Sequence, residues 1–86
     1  MKKSIKLFFD LSMNEQFKIL NFESRFIRTL EYKDGSFQKL HYWRGEFIAT
    51  SFVYSLEERI PKLTNIFLPS TDELHEFIKD LDISGL

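Results

Sequence analysis

Between Phe26 and Ser55 the chain alternates β-branched and aromatic residues with polar ones in three stretches, broken at Asp34-Gly35 and at Arg44-Gly45. Extended runs of that composition, punctuated by glycine-containing turns, predict an antiparallel meander. Two registers compete at the first turn. A two-residue loop sets Tyr32 opposite Phe37 and Leu30 opposite Lys39, whereas an Asp34-Gly35-Ser36 loop sets Leu30 opposite Leu40 and Glu31 opposite Lys39. A slip of one residue exchanges the two faces of the strand, so both remain open. At the second turn a two-residue type I′ loop demands φ > 0 at both central positions, which suits Gly45 but not Arg44. Taking that short loop, Tyr42 faces Phe47 and Leu40 faces Ala49 on one side, while Trp43 faces Glu46, His41 faces Ile48 and Phe37 faces Phe52 on the other.

The flanks carry helical signals. Ser12-Met13-Asn14-Glu15 and Ser70-Thr71-Asp72-Glu73 both match the capping box, in which a Ser hydroxyl accepts from the amide three residues on and the Glu reaches back. Met13, Phe17 and Leu20, with Ile19 beside them, predict a helix from about residue 13 to 22; Leu74, Phe77, Ile78 and Leu81 predict a second from about Thr71 to Asp82, ended near Gly85. Residues 26–32 also admit helix, since Phe22, Phe26 and Leu30 lie four apart, but the Asp-Gly turn that follows favours strand. The apolar run from Leu63 to Leu68, held between Pro61 and Pro69, suits a fourth, edge strand. The first ten residues are ambiguous: Ile5, Leu7 and Phe9 alternate like a strand, while Ile5, Phe8 and Phe9 suit one side of a short helix.

These elements amount to an α+β domain spanning residues 1–86: N-terminal helix, three-stranded antiparallel meander with room for a fourth strand, and a C-terminal helix packed on the sheet. With Tyr42-Trp43-Arg44-Gly45-Glu46-Phe47-Ile48-Ala49 in the second turn and Leu81-Asp82-Ile83-Ser84-Gly85-Leu86 at the end, the chain resembles a group of short uncharacterised bacterial proteins. In that group a glycine-containing turn is followed by phenylalanine, valine, glutamate and valine, and the chain closes on a similar tail. Ala49 and Thr50 depart from that pattern. The resemblance covers most of the chain and implies the architecture, with no activity attached.

Composition narrows the function classes. The chain has 86 residues, ten of them Phe, and aromatics make up 16%; large rings supply the volume that a short chain otherwise lacks. It contains no Cys, so neither disulfides nor thiolate metal sites supplement the core, which fits a reducing compartment such as the cytoplasm. The opening Met1-Lys2-Lys3 precedes an apolar run too short for an export signal and interrupted by Asp10. Nothing approaches the roughly 20 apolar residues of a membrane span. Residues 1–44 carry nine Lys/Arg against five Asp/Glu, and residues 45–86 carry three against eight. The cations are interleaved with Glu15, Glu23, Glu31 and Asp34, which disfavours nucleic acid as a partner.

No catalytic, cofactor-binding or metal-binding set emerges, and no small-molecule substrate is evident. His41 lacks an identifiable carboxylate or nucleophile, and His75 with Asp72 and Glu76 makes a poor metal site on a helix surface. Ser12, Ser70 and Thr71 are accounted for as caps, and the three glycines sit singly. The acidic helix, with Asp72, Glu73, Glu76, Asp80 and Asp82 against Lys79, is either a solvated face or a dock for a basic partner. If both helices pack on the face carrying Leu30, Leu40, Tyr42, Phe47, Ala49 and Val53, then Ile27, Phe37, His41, Trp43, Ile48, Phe52 and Tyr54 remain on an exposed aromatic face, unless the N-terminal segment or a helix covers it. The expectation is therefore a small cytoplasmic, non-enzymatic interaction module. It docks through Trp43, Phe37, Phe52, His41, Ile48 and Tyr54, or through the acidic helix, onto a protein partner or a second copy. The alternative is single-stranded nucleic acid on the sheet, with Phe37, Tyr54 and Trp43 as stacking platforms and Lys39 and Arg44 meeting phosphate.

Overall fold

The computed structural model describes residues 3–81. In chain order these are α1 (Lys3–Asp10), α2 (Met13–Phe22), β1 (Arg25–Glu31), β2 (Phe37–Trp43), β3 (Glu46–Ser55), β4 (Ile60–Phe67) and α3 (Thr71–Ile78). The four strands form one antiparallel sheet in the order β1-β2-β3-β4, so the fourth strand is present and the α+β arrangement holds.

The ambiguous N-terminal segment is helical because two well-buried side chains, Ile5 and Phe8, are three residues apart and meet the core together. A polar clasp joins it to the next helix: the side-chain amide of Gln16, itself buried, donates to the carbonyls of Phe8 (3.1 Å) and Leu11 (3.3 Å). Those carbonyls lie at and just beyond the end of α1, where the Phe8 carbonyl also accepts from the amide of Leu11 (3.1 Å) in the tightened last turn. The hydroxyl of Ser12 accepts from the amide of Glu15 and caps α2. At α3 the capping box is complete, with Ser70 accepting from the Glu73 amide (3.2 Å) and Glu73 accepting from the Ser70 amide (3.0 Å). The helix ends at Ile78, short of the expected Asp82, and the expected stop near Gly85 lies outside the described residues.

The first hairpin adopts neither expected register. Glu31 pairs with Phe37, Leu30 with Gln38, Thr29 with Lys39 and Arg28 with Leu40, and Tyr32 donates to the carbonyl of Ser36 (2.9 Å). The loop is Lys33-Asp34-Gly35: the amide of Gly35 returns to the carbonyl of Tyr32 (3.1 Å), and Gly35 takes φ +88° as the third loop residue. This is the turn-plus-bulge solution for three-residue loops. Asp34 stabilises it by accepting from the amide (2.9 Å) and hydroxyl of Ser36. The second hairpin pairs as expected, with Arg44 at φ 49° and Gly45 at φ 84° in a two-residue loop. Arg44 departs from the expected chemistry of that turn, and its guanidinium lies 4.7 Å from the centre of the Trp43 ring.

Helices cover both faces of the sheet. On one face α1 and α2 bury Ile5, Phe8 and Leu20 against Trp43, Ile48 and Ile66; on the other, Phe77 of α3 packs on Leu40 and Ala49, with Leu74 and Ile78 alongside. Arg28 fixes α3 from the sheet, pairing with Asp80 and donating to the carbonyl of Phe77 (3.3 Å). Both outer strands are irregular. Ile27 is an extra residue in β1, and Thr64 is extra in β4, where its hydroxyl donates to the carbonyl of Ser51 (3.1 Å). Bulges of this kind, with Pro61 and Lys62 on β4, blunt the edges against open-ended strand addition. Among the described residues no helix is long and apolar enough to cross a membrane.

Candidate functional site

The register of β2 on β3 places Phe37, Lys39, His41, Trp43, Ile48, Thr50 and Phe52 on one face, as the alternation of the sequence implied. The same face receives α1 and α2, and this changes what it can do. The ring of Phe8 lies 5.4 Å from that of Trp43, and Ile5 and Leu20 complete the cover. Trp43 retains 7% exposure and Phe52 9%, and His41 and Ile48 are buried with them. Of the six residues expected to anchor a partner, these four are sealed inside the subunit. Ile27, expected on this face, packs with Leu40 on the opposite one, because the bulge at that position shifts the register.

Phe37 and Tyr54 remain accessible, at the end of the face that the helices leave open. Phe37 is half-buried and stacks on Phe52, with ring centres 4.8 Å apart and planes 11° from parallel. Phe17 of α2 meets Phe52 edge-on at 6.4 Å, and the Lys39 ammonium lies 5.9 Å and 5.5 Å from the centres of the Phe37 and Phe52 rings. Beyond this stack, β3 continues past its last pair with β2, so Val53, Tyr54 and Ser55 pair only with β4. The turn of the first hairpin still lies beside Tyr54, where a Cβ on Gly35 would stand 3.9 Å from that of Tyr54, so it is the tip of the β3–β4 hairpin that extends beyond the sheet, closed by a loop in which the amide of Arg59 reaches the carbonyl of Ser55 (2.7 Å) and Arg59 sits at φ 57°. Its apolar side chains stay in solvent: Tyr54 is 46% exposed and Leu56 84%, with Val53 and Ile60 also exposed. Sequence reasoning missed Leu56 and Ile60, since an apolar residue beside Glu57-Glu58-Arg59 looks like the end of a strand rather than part of a surface.

The polar groups of the buried face form no reactive set. The hydroxyl of Ser24 gives its proton to the carbonyl of Leu20 (2.6 Å), so at the 3.1 Å contact with His41 it accepts from Nδ1–H. Burial, with Lys39 adding, pushes the pKa of the imidazole down to about 4, so near neutral pH the donating ring is uncharged. Thr50 is buried with its hydroxyl unpaired. No group of His, Asp or Glu that could hold a metal occurs among the described residues.

The acidic helix is partly neutralised within the chain. Asp80 pairs with Arg28, Glu76 with Lys79 (3.2 Å), and Glu73 is occupied in the capping box; Asp82 lies outside the described residues. Asp72 and Glu73, in the first turn, keep their negative charges, so α3 retains an acidic N-terminal end.

In comparisons with known proteins, no family model, no curated protein and no solved structure matches the chain.

Proposed function

We propose that the protein is a small cytoplasmic, non-enzymatic interaction module that docks onto another protein chain through the projecting β3–β4 hairpin and the adjoining Phe37–Phe52 stack. The observation that carries this reading is the contrast between the two ends of one sheet face. Trp43 and Ile48 are buried, while Tyr54 towards the other end is 46% exposed and Leu56, in the loop just beyond β3, 84%. Exposed apolar side chains that cluster on a projecting element are the usual mark of an interface. Tyr54 and Phe37 keep their expected roles as contact residues; Trp43, His41, Ile48 and Phe52 support them from beneath. Single-stranded nucleic acid is the less favoured ligand, because of its three expected stacking platforms Trp43 is buried and Phe37 gives one ring face to Phe52, which leaves Tyr54 as the most exposed ring.

The test uses Leu56→Ser, whose 84% exposure predicts stability within about 0.5 kcal/mol of the parent, with Tyr54→Ser as a second variant checked for retained folding. Epitope-tagged chains in native host extract are sized by gel filtration. The parent should elute well above its own 10.3 kDa, and the variants should shift towards it. Elution of the parent at the mass of one chain in extract, together with one chain mass for the purified protein at near-millimolar concentration, would remove the proposal.

A further inference from the structure

We infer that the partner seated on the β3–β4 hairpin is a second copy of this chain, an inference that rests on the docking role proposed above. The charges around the apolar tip point to it. Four ionised side chains surround Tyr54, Leu56 and Ile60: Glu57, Glu58, Arg59 and Lys62, two of each sign. Lys62 and Glu58 satisfy each other across the hairpin at 2.7 Å. Glu57 and Arg59 flank that pair and hold no ion pair among the described residues. A strongly acidic or strongly basic partner would gain at one of these residues and lose at the other. A two-fold axis through the tip lets Arg59 of each copy meet Glu57 of its mate, so both charges are satisfied twice by one symmetric contact.

The geometry of the tip suits that contact. Tyr54 and Pro61 pair on one face of the hairpin, and Val53 and Ile60 lie on the other. Two copies brought tip to tip bury apolar side chains that a lone hairpin cannot cover. Thr64 and Ile27 interrupt the two outer strands, which leaves side-chain contact at the hairpin rather than extension of the sheet as the mode of association. An interface confined to one hairpin belongs to the small class, below about 1,200 Å² in total, so the dimer is reversible and dissociates on dilution.

The experiment is sedimentation velocity on the purified full chain, from low micromolar to near-millimolar concentration. The parent should move from one chain mass towards two as concentration rises. Leu56→Ser, at a site too exposed to disturb folding, should remain at one chain mass throughout. Glu57→Arg and Arg59→Glu should each remain monomeric when alone, since each gives the tip a single sign at these two positions, and should recover the double mass when mixed. A parent that stays at one chain mass overturns the inference; so does a dimer indifferent to Leu56→Ser or to the charge reversals, or a mixture of the two reversed chains that does not associate. The two proposals fail differently. A chain monomeric when pure but large in host extract, with the large form lost in Leu56→Ser, overturns only the second copy, whereas one chain mass in both settings removes docking altogether.

Discussion

Thr50 keeps a hydroxyl where the sheet and helices leave it no acceptor: the residue is 0% exposed and its oxygen is unpaired. A buried, unpaired hydroxyl costs more than the same volume of methyl. Thr50→Val, which preserves the branched shape, should therefore raise stability by about 1 kcal/mol, seen as a higher urea midpoint with unchanged slope. His41 imposes a different cost, one that depends on pH. Its folded pKa is about 4 against 6.5 for the free side chain. Above pH 6.5 both states are neutral and nothing is lost. Below that value the unfolded chain takes the proton first, so stability declines until the folded ring also titrates near pH 4. After allowance for solvent screening the loss is about 2 kcal/mol. Denaturation at neutral pH and at about pH 4.5 should show this slope in the parent and a shallower one in His41→Gln. Asp34, held below the usual carboxylate range by the hydroxyl and amide of Ser36, keeps its loop contacts through that window. Arg44 occupies the left-handed region, a strain of about 1–2 kcal/mol, offset in part by the Trp43 ring beneath its guanidinium. Arg44→Ala loses the ring contact while keeping the strain, so it should cost about 0.5–1 kcal/mol. Arg44→Asn, with a residue that tolerates this backbone, should be close to neutral in the same thermal melt.

Among the elements, α1 decides the fate of the aromatic face. The pattern of Ile5, Leu7, Phe8 and Phe9 is too short to separate a period of two from one of 3.6, so the sequence leaves the cover unassigned. Only contact with Trp43 resolves it, and that contact is tertiary. The strands were more legible. The pairing of Phe37 with Phe52 and of Leu40 with Ala49 follows from alternation plus a two-residue turn, because period and loop length together fix register. The first hairpin escaped because Asp34-Gly35 serves equally as the centre of a two-residue loop or the end of a three-residue one, and the side-chain bonds from Asp34 to Ser36 select the latter. α3 was legible for its capping box and its apolar stripe, but its face was not. A stripe states that a helix packs, not on which side of a sheet. Phe8→Ala should cost about 3–4 kcal/mol and move the Trp43 emission maximum to longer wavelength, as water reaches the indole. An unchanged emission spectrum would show that α1 does not seal that ring.

At the scale of the whole molecule, α layers on both sides of one sheet explain why so short a chain carries so many rings. Each face needs its own filling, and the two clusters around Trp43 and Phe77 share no volume. Besides single exposed side chains on the helices and β1, such as Leu7, Phe22 and Phe26, they leave uncovered the end of the β3–β4 hairpin, where strand length exceeds the reach of either layer. That excess was not legible in the sequence, since the end of β3 and the start of β4 have ordinary strand composition and only their position makes them exposed.

Every strand of the sheet hydrogen-bonds solely to those adjacent to it along the chain, with no crossover. The searches needed to assemble it are therefore short-range ones, over loops of a few residues, and closing such loops loses little entropy. Refolding from urea, followed by Trp43 emission in a stopped-flow instrument, should finish within milliseconds as a single exponential. A slow, multiphasic recovery would mean that bringing α1 home, rather than zipping the strands, limits the rate.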